Sequence, residues 1–227
     1  MAQVHASAQT IGIDACKGGW VAVALRGGRF LGAATDSSLQ PLVSRYSEAV
    51  AIGVDIPIGL PRRASRPCDE EARIFVGVRR RSVFATPPAQ VLAAPTHGKA
   101  TLLSVELTGK GLSQQSYALR SKIREAASLV ASDRRIFEVH PEVSFRALAG
   151  RELAWSKKTW AGHSIRRKLL AAAGIELPDD LGPASSVASD DVLDSAAAAW
   201  SATRYALGHA QSLPDDALGG QKMVIWY

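Results

Sequence analysis

Two acids frame the chemistry open to this chain: Asp14, in Ile11-Gly-Ile-Asp-Ala-Cys-Lys-Gly-Gly-Trp20, and Asp55, in Ala51-Ile-Gly-Val-Asp-Ile-Pro-Ile-Gly59. Each follows a run rich in β-branched residues, where an uncompensated carboxylate would lose its hydration at a cost of several kcal/mol. A later pair, Asp191 and Asp194, lies in Asp190-Asp-Val-Leu-Asp-Ser-Ala-Ala-Ala-Ala-Trp200. Their spacing places both on one helix face, with Asp190 directed elsewhere. Carboxylate oxygens are the ligands that hard divalent cations take. The expectation is one shared metal site built from Asp14, Asp55, Asp191 and Asp194, with the strand acids at the carboxyl edge of adjacent central strands. The residues also allow a plainer account. Asp14 could bond the backbone of its Lys17-Gly18-Gly19 turn, Asp55 could cap a loop, and the helix pair could serve free N–H groups at the helix start.

Glu138-Val-His-Pro-Glu142 closes a further strand. Period-two alternation puts Glu138 and His140 on one face and Phe137 and Val139 on the other. Glu138 is a candidate additional metal ligand, and His140 a contact for a phosphate or an attacking water. Equally, the two could satisfy each other at the strand end. Basic residues gather in two segments: Arg62, Arg63, Arg66, Arg73, Arg79, Arg80 and Arg81, then Arg151, Lys157, Lys158, Arg166, Arg167 and Lys168. Either could track a phosphate backbone through counterion release, or form a solvated helix face. Arg79, Arg80, Arg81, Lys157 and Lys158, with Lys17 and His140, are the candidate substrate contacts. The sequence has no phosphate-binding or dinucleotide glycine loop, no H-E-x-x-H zinc signature and no G-x-S-x-G nucleophile elbow.

The elements that must position these residues follow from periodicity. Strands are predicted at 10–16, 20–25 and 29–35, separated by Lys17-Gly-Gly19 and Arg26-Gly-Gly28, which reads as an antiparallel meander. A helix at 38–48 and a strand at 50–56 follow, the strand lacking alternation as expected when both its faces are covered. A helix is predicted from Cys68 to Val78, another over 113–130, a strand from Arg135 to Val139, helices over 142–149, 160–173 and 190–207, and a terminal strand from Lys222 to Trp226. The order gives a mixed α/β sheet with helices on both faces. A single domain, 1–227, with a basic, proline-containing helical insertion at about 62–130 is expected.

At 227 residues with 47% hydrophobic content, the chain suits one large domain. No apolar run approaches the roughly 18–20 residues that span a bilayer. The opening Met1-Ala-Gln-Val-His-Ala-Ser-Ala-Gln-Thr10 lacks the basic head and apolar core of a secretory leader. Cys16 and Cys68 have no metal-type spacing and make a poor disulfide framework. A cytoplasmic protein with reduced thiols is expected. The net charge of +6 permits a polyanionic partner without requiring one.

One ordered set of motifs carries a family resemblance: Asp14-Ala-Cys-Lys-Gly-Gly-Trp20, Val54-Asp-Ile-Pro-Ile-Gly-Leu-Pro61, Cys68-Asp-Glu-Glu-Ala-Arg73, Arg81-Ser-Val-Phe-Ala-Thr-Pro-Pro88, Gly111-Leu-Ser-Gln-Gln115, Glu138-Val-His-Pro-Glu142 and the Asp-rich last helix. Over about residues 10–210 the chain resembles the DUF429 family, described as predicted nucleases with a ribonuclease H-like, RuvC-like fold. The resemblance implies acids on the first strand, the fourth strand and the final helix, which Asp14, Asp55, Asp191 and Asp194 match. Glu138 is carried as a catalytic candidate outside that set. It further implies hydrolysis of a phosphodiester in a nucleic acid by two Mg²⁺ or Mn²⁺ ions about 3.5–4 Å apart. Asp14 would bridge the ions, Asp55 would hold one, and Asp194 or Asp191 the other. Two other readings share the fold. An ATP-binding protein of the actin and sugar-kinase type would need a glycine and a small hydroxyl residue after the first acid, where Ala15 and Cys16 stand. A non-catalytic nucleic-acid- or protein-binding module would keep the acids for structure or weak metal binding.

Overall fold

The computed structural model describes residues 7–63, 65–216 and 223–227. Strands β1 (Gln9–Cys16), β2 (Gly19–Arg26) and β3 (Arg29–Asp36) form the expected meander. Its first turn closes at Gly18, whose φ of 85° is open to glycine at little cost. Helix α1 (Leu39–Arg45) returns the chain to β4 (Ala49–Asp55), which pairs parallel with β1. β5 (Ile136–Glu138) pairs parallel with β4, completing a mixed sheet in the order β3-β2-β1-β4-β5.

Strand alternation divides the core. Ile11, Ile13, Ile52, Val54 and Ile136 face α1 and helix α6 (Arg120–Val130), whose Ile123 and Ala126 are buried there. The opposite face meets helix α9 (Ser189–Ala206). Two glycines decide how closely. A Cβ on Gly12 would lie 2.1 Å from both Ala199 N and Ser195 O, and one on Gly53 would lie 2.8 Å from Ala198 O. Strand and helix backbones therefore touch with no side chain between them. The run Ala196 to Ala199 is wholly buried, and its small side chains allow this approach. The contact fixes the first turn of α9 over the ends of β1 and β4.

The segment after β4 contains α2 (Pro67–Phe75), a 3₁₀ turn (Gly77–Ser82), α3 (Ala89–Ala93), α4 (His97–Thr108), α5 (Gln114–Ala118) and α6. Several boundaries differ from the sequence expectation. The helix predicted to reach Val78 stops at Phe75, and Gly77 follows at φ 58°. The single helix over 113–130 is two helices meeting at Leu119. α4 escaped periodicity because Leu102 and Val105 are exposed while Ala100 and Ser104 are buried. Its signal was in its ends instead: Thr96 accepts from Lys99 N–H at 3.3 Å, and Gly109 closes it in the left-handed region. α7 (Pro141–Ala149) and α8 (Trp160–Ala172) stand close to their predicted ranges. A short pair, β6 (Ser212–Leu213) with β7 (Ile225–Trp226), ends the fold. Lys222 of the predicted terminal strand lies outside the described residues.

Candidate metal centre

β1 and β4 are parallel neighbours, and their register places Asp14 directly beside Asp55. Both continue the alternation of Gly12 and Gly53, so both aspartates belong to the face covered by α9. One turn into that helix, Asp194 completes the group. A carboxylate oxygen from each of Asp14, Asp55 and Asp194 lies within 4.8 Å of the other two. Asp14 and Asp194 are buried and Asp55 half-buried.

Few protein groups compensate these charges. Ala15 N–H, still within β1, donates to Asp14 Oδ1 at 2.6 Å, so Asp14 bonds its strand neighbour instead of the Lys17-Gly-Gly turn. Lys157, from the loop before α8, donates its Nζ to Asp194 Oδ2. Asp194 Oδ1 is buried with no hydrogen-bond partner among the described residues. A buried acceptor left in that condition is costly unless something fills its coordination.

Electrostatics point the same way. Burial, then the neighbouring Asp55 and Asp194, pushes the Asp14 carboxyl well above its ordinary range. Burial and Asp194 push Asp55 up to about 8. Burial pushes Asp194 up to about 6 even though the Lys157 ammonium opposes it. Burial would lower Lys157, but the Asp194 carboxylate more than reverses this and holds the ammonium above its ordinary value. Without a metal, then, the cluster retains protons that the unfolded chain would release. Native acids with raised pKa bind extra protons between about pH 4 and 8, so their contribution to stability is lost as pH rises through that window. A divalent ion requires the ionised carboxylates and binds best at the top of it. The melting temperature of EDTA-treated protein is expected to fall from pH 5 to pH 8. Mn²⁺ or Mg²⁺ at a hundredfold excess over Kd should restore about 5–10 °C at pH 8 and far less at pH 5. Calorimetric melts with and without metal measure both; melting at pH 8 that ignores the metal would count against the site.

The other candidates are distributed around this centre. Asp191 is half-buried and lines a cleft of about 610 Å³ together with Lys17, beside the β1–β2 turn. Asp190 requires a correction. It is not directed away: its Oδ2 lies 2.5 Å from Lys158 Nζ and 3.8 Å from Lys157 Nζ, so it shares Lys157 with Asp194. A spacing of four brings residues onto one helix face as readily as three. Lys157 and Lys158 thus sit on acids in this structure.

Glu138 is not brought into the cluster. It pairs in register with Val54, so it belongs to the sheet face opposite Asp55. There its two oxygens accept from Arg66 Nη1 and Nη2 at 2.7 Å each, and Oε2 also accepts from Ile58 N–H at 2.6 Å. Arg66 also reaches Asp69 at 2.5 Å and is 1% exposed. His140 does not pair with Glu138 either. It caps α7, its Nδ1 accepting from Glu142 N–H at 3.2 Å, and burial pushes its pKa down to about 4, leaving it neutral. Glu142 receives Arg166 through two contacts of 2.8 Å, both residues buried, so the second basic segment is not simply a solvated face. Arg79 donates to Ser82 Oγ at 2.9 Å, while Arg80 and Arg81 line a separate cavity.

Sequence reasoning missed Arg66, hidden in a run of exposed arginines, and Lys122. Lys122 Nζ donates to the carbonyls of Cys16, at 2.9 Å, and Gly19, and lies over the Trp20 ring, tying the turn after Asp14 to α6. Nothing local in the sequence marks either role.

These features define an α/β protein with a mixed five-stranded sheet and, at its carboxyl edge, a buried acidic triad able to hold a metal ion. The chain belongs to the family described as Protein of unknown function (DUF429), which matches residues 12–218. No curated protein and no solved structure matches it. Among the described residues, no helix is long and apolar enough to cross a membrane.

Proposed function

We propose that this protein is a divalent-metal-dependent nuclease that hydrolyses phosphodiester bonds at the Asp14–Asp55–Asp194 centre. The observation that carries the reading is the convergence of three carboxylates within 4.8 Å, one of them with a buried oxygen that no described residue hydrogen-bonds. All the donors are hard oxygens, which fit Mg²⁺ or Mn²⁺ better than softer metals. Acids on the first strand, the fourth strand and the last long helix stand at the positions the family resemblance leads one to expect, which supports this reading.

Asp14, Asp55 and Asp194 would hold the metal, with half-buried Asp191 available to a second ion. When bound, such ions supply Lewis-acid activation of a water and of the leaving oxygen. The rest falls to the chain. Lys157 holds Asp194 by Oδ2, leaving Oδ1 for the metal. Lys158 fastens Asp190 at 2.5 Å, fixing the loop that carries Lys157 to the start of α9. Lys17, at the cleft beside Asp191, would meet a substrate phosphate. A net charge of +6 raises the local concentration of a polyanion.

A second reading, the non-catalytic binding module, draws on Lys157. Its ammonium already gives the cluster a cation without any metal. Cleavage of a labelled panel (duplex, single strand, RNA–DNA hybrid and four-way junction) separates the two. The nuclease reading expects at least one substrate to be cut in Mg²⁺ or Mn²⁺ and none in EDTA. Binding of the panel without cleavage under either metal would favour the module.

A further inference from the structure

Two of the motifs that mark this chain, Arg81-Ser-Val-Phe-Ala-Thr-Pro-Pro88 and Gly111-Leu-Ser-Gln-Gln115, play no part in the metal centre. They meet across a cavity of about 770 Å³ between the 3₁₀ turn, the Val83–Pro88 segment and the α4–α5 connection. That volume lies within the roughly 300–1,000 Å³ of small-molecule sites. No residue lining it belongs to the acidic triad.

Its charge is one-sided. Arg73, Arg80, Arg81 and Lys110 line it, and no carboxylate among the described residues does. Arg80, Arg81 and Lys110 form no ion pair among the described residues. Arg73 donates its Nε to the Val83 carbonyl at 2.8 Å, which holds its guanidinium in place. Four cations gathered without counter-charge repel one another, and an anion relieves this.

A second observation is independent of that charge. Thr86 lines the cavity and is 2% exposed, yet its Oγ1 has no hydrogen-bond partner among the described residues. Its position is not loose: Thr86 N–H donates to Asp69 Oδ2 at 2.8 Å, and Asp69 is held by Arg66. The main chain is thus fixed, and the unsatisfied hydroxyl, turned about χ1, offers a contact that a ligand atom can complete.

The rest of the wall carries an apolar patch with an aromatic ring, including Val83, Phe84 and Leu112, beside serines and a threonine whose hydroxyls already have partners within the chain. A bare phosphate would use the cations and leave this wall empty. From the cations, the orphan hydroxyl and the aromatic wall together, we infer that the cavity is a nucleotide-binding site, taking a phosphate joined to a planar base. The nucleotide comes either from a single nucleic-acid strand or from a free nucleoside phosphate, and both present the same chemistry.

Calorimetric titration in EDTA tests this apart from the metal centre, because no step of it requires metal or cleavage. The probes are an eight-residue oligothymidylate, AMP, ATP and inorganic pyrophosphate. At least one nucleotide probe is expected to bind. Arg80→Glu/Arg81→Glu should weaken it tenfold or more, by loss of charge-assisted contacts. Thr86→Val, which keeps the shape and removes the hydroxyl, should weaken it about threefold or more. The exposed pair Arg29→Glu/Arg45→Glu, outside the cavity and outside both basic segments, should leave it unchanged. Binding of the oligonucleotide alone assigns the site to a strand, and binding of AMP or ATP alone to a free nucleotide. The inference is overturned if no nucleotide probe binds. It is also overturned if pyrophosphate binds as tightly as ATP, or if the control pair loses as much affinity as the cavity pair.

Discussion

Asp14→Asn is expected to have two opposite effects. It should reduce metal-dependent cleavage by about a thousandfold or more, because losing a metal ligand removes several kcal/mol of charge stabilisation and each 1.36 kcal/mol is tenfold. It should also raise the melting temperature of the metal-free protein at pH 8. The carboxylate is buried and crowded by Asp55 and Asp194, which is why its pKa stands well above the ordinary range. The amide keeps the volume and removes the charge that the fold resists. Activity and stability moving in opposite directions marks a residue that the fold tolerates for its chemistry. Initial cleavage rates beside calorimetric melts of the two proteins would show it. A variant that loses stability and keeps full activity would place Asp14 among structural acids.

Gly12→Ala should have the larger structural effect. The added methyl would fall 2.1 Å from Ala199 N and Ser195 O, both helix backbone. No flexible side chain can yield, so α9 must move off the sheet. Overpacking of this kind costs about 1–3 kcal/mol and sometimes more, and backbone against backbone belongs at the upper end. The melting temperature should drop by about 6–12 °C. Because α9 carries Asp194, metal affinity should fall too, although Gly12 touches no metal. Gly32→Ala is the matched control, a strand glycine with nothing within 4 Å of the added Cβ. Equal melting of the two variants would contradict the close packing described for β1 and α9.

What was legible in the sequence and what was not divide along physical lines. β1 to β4 could be read because their signals are local: β-branched runs, glycine turns and an apolar strand without alternation. The strand acids could be read because carboxylates after such runs need an explanation. The side of the sheet that Glu138 occupies could not, since alternation relates neighbours within one strand and only the pairing of Val54 with Glu138 fixes the face. Arg66 and Arg166 looked like members of basic surface runs and are buried partners of Glu138 and Glu142. A long-range ion pair leaves no periodic trace. The reach of Lys157 across to α9 was hidden in the same way, because it depends on a loop path. Asp190 has a simpler explanation: it precedes Asp194 by four residues, a spacing that shares a helix face as well as three does.

Titration of metal-free protein with Mn²⁺ at pH 8, followed by calorimetry in buffers of different ionisation enthalpy, tests the central claim most directly. The triad predicts saturable binding, competition by Mg²⁺ and release of protons as the metal takes their place, with all three lost in Asp194→Asn. A folded protein that takes up no Mn²⁺ at millimolar concentration would contradict it, and so would uptake that Asp194→Asn leaves unchanged.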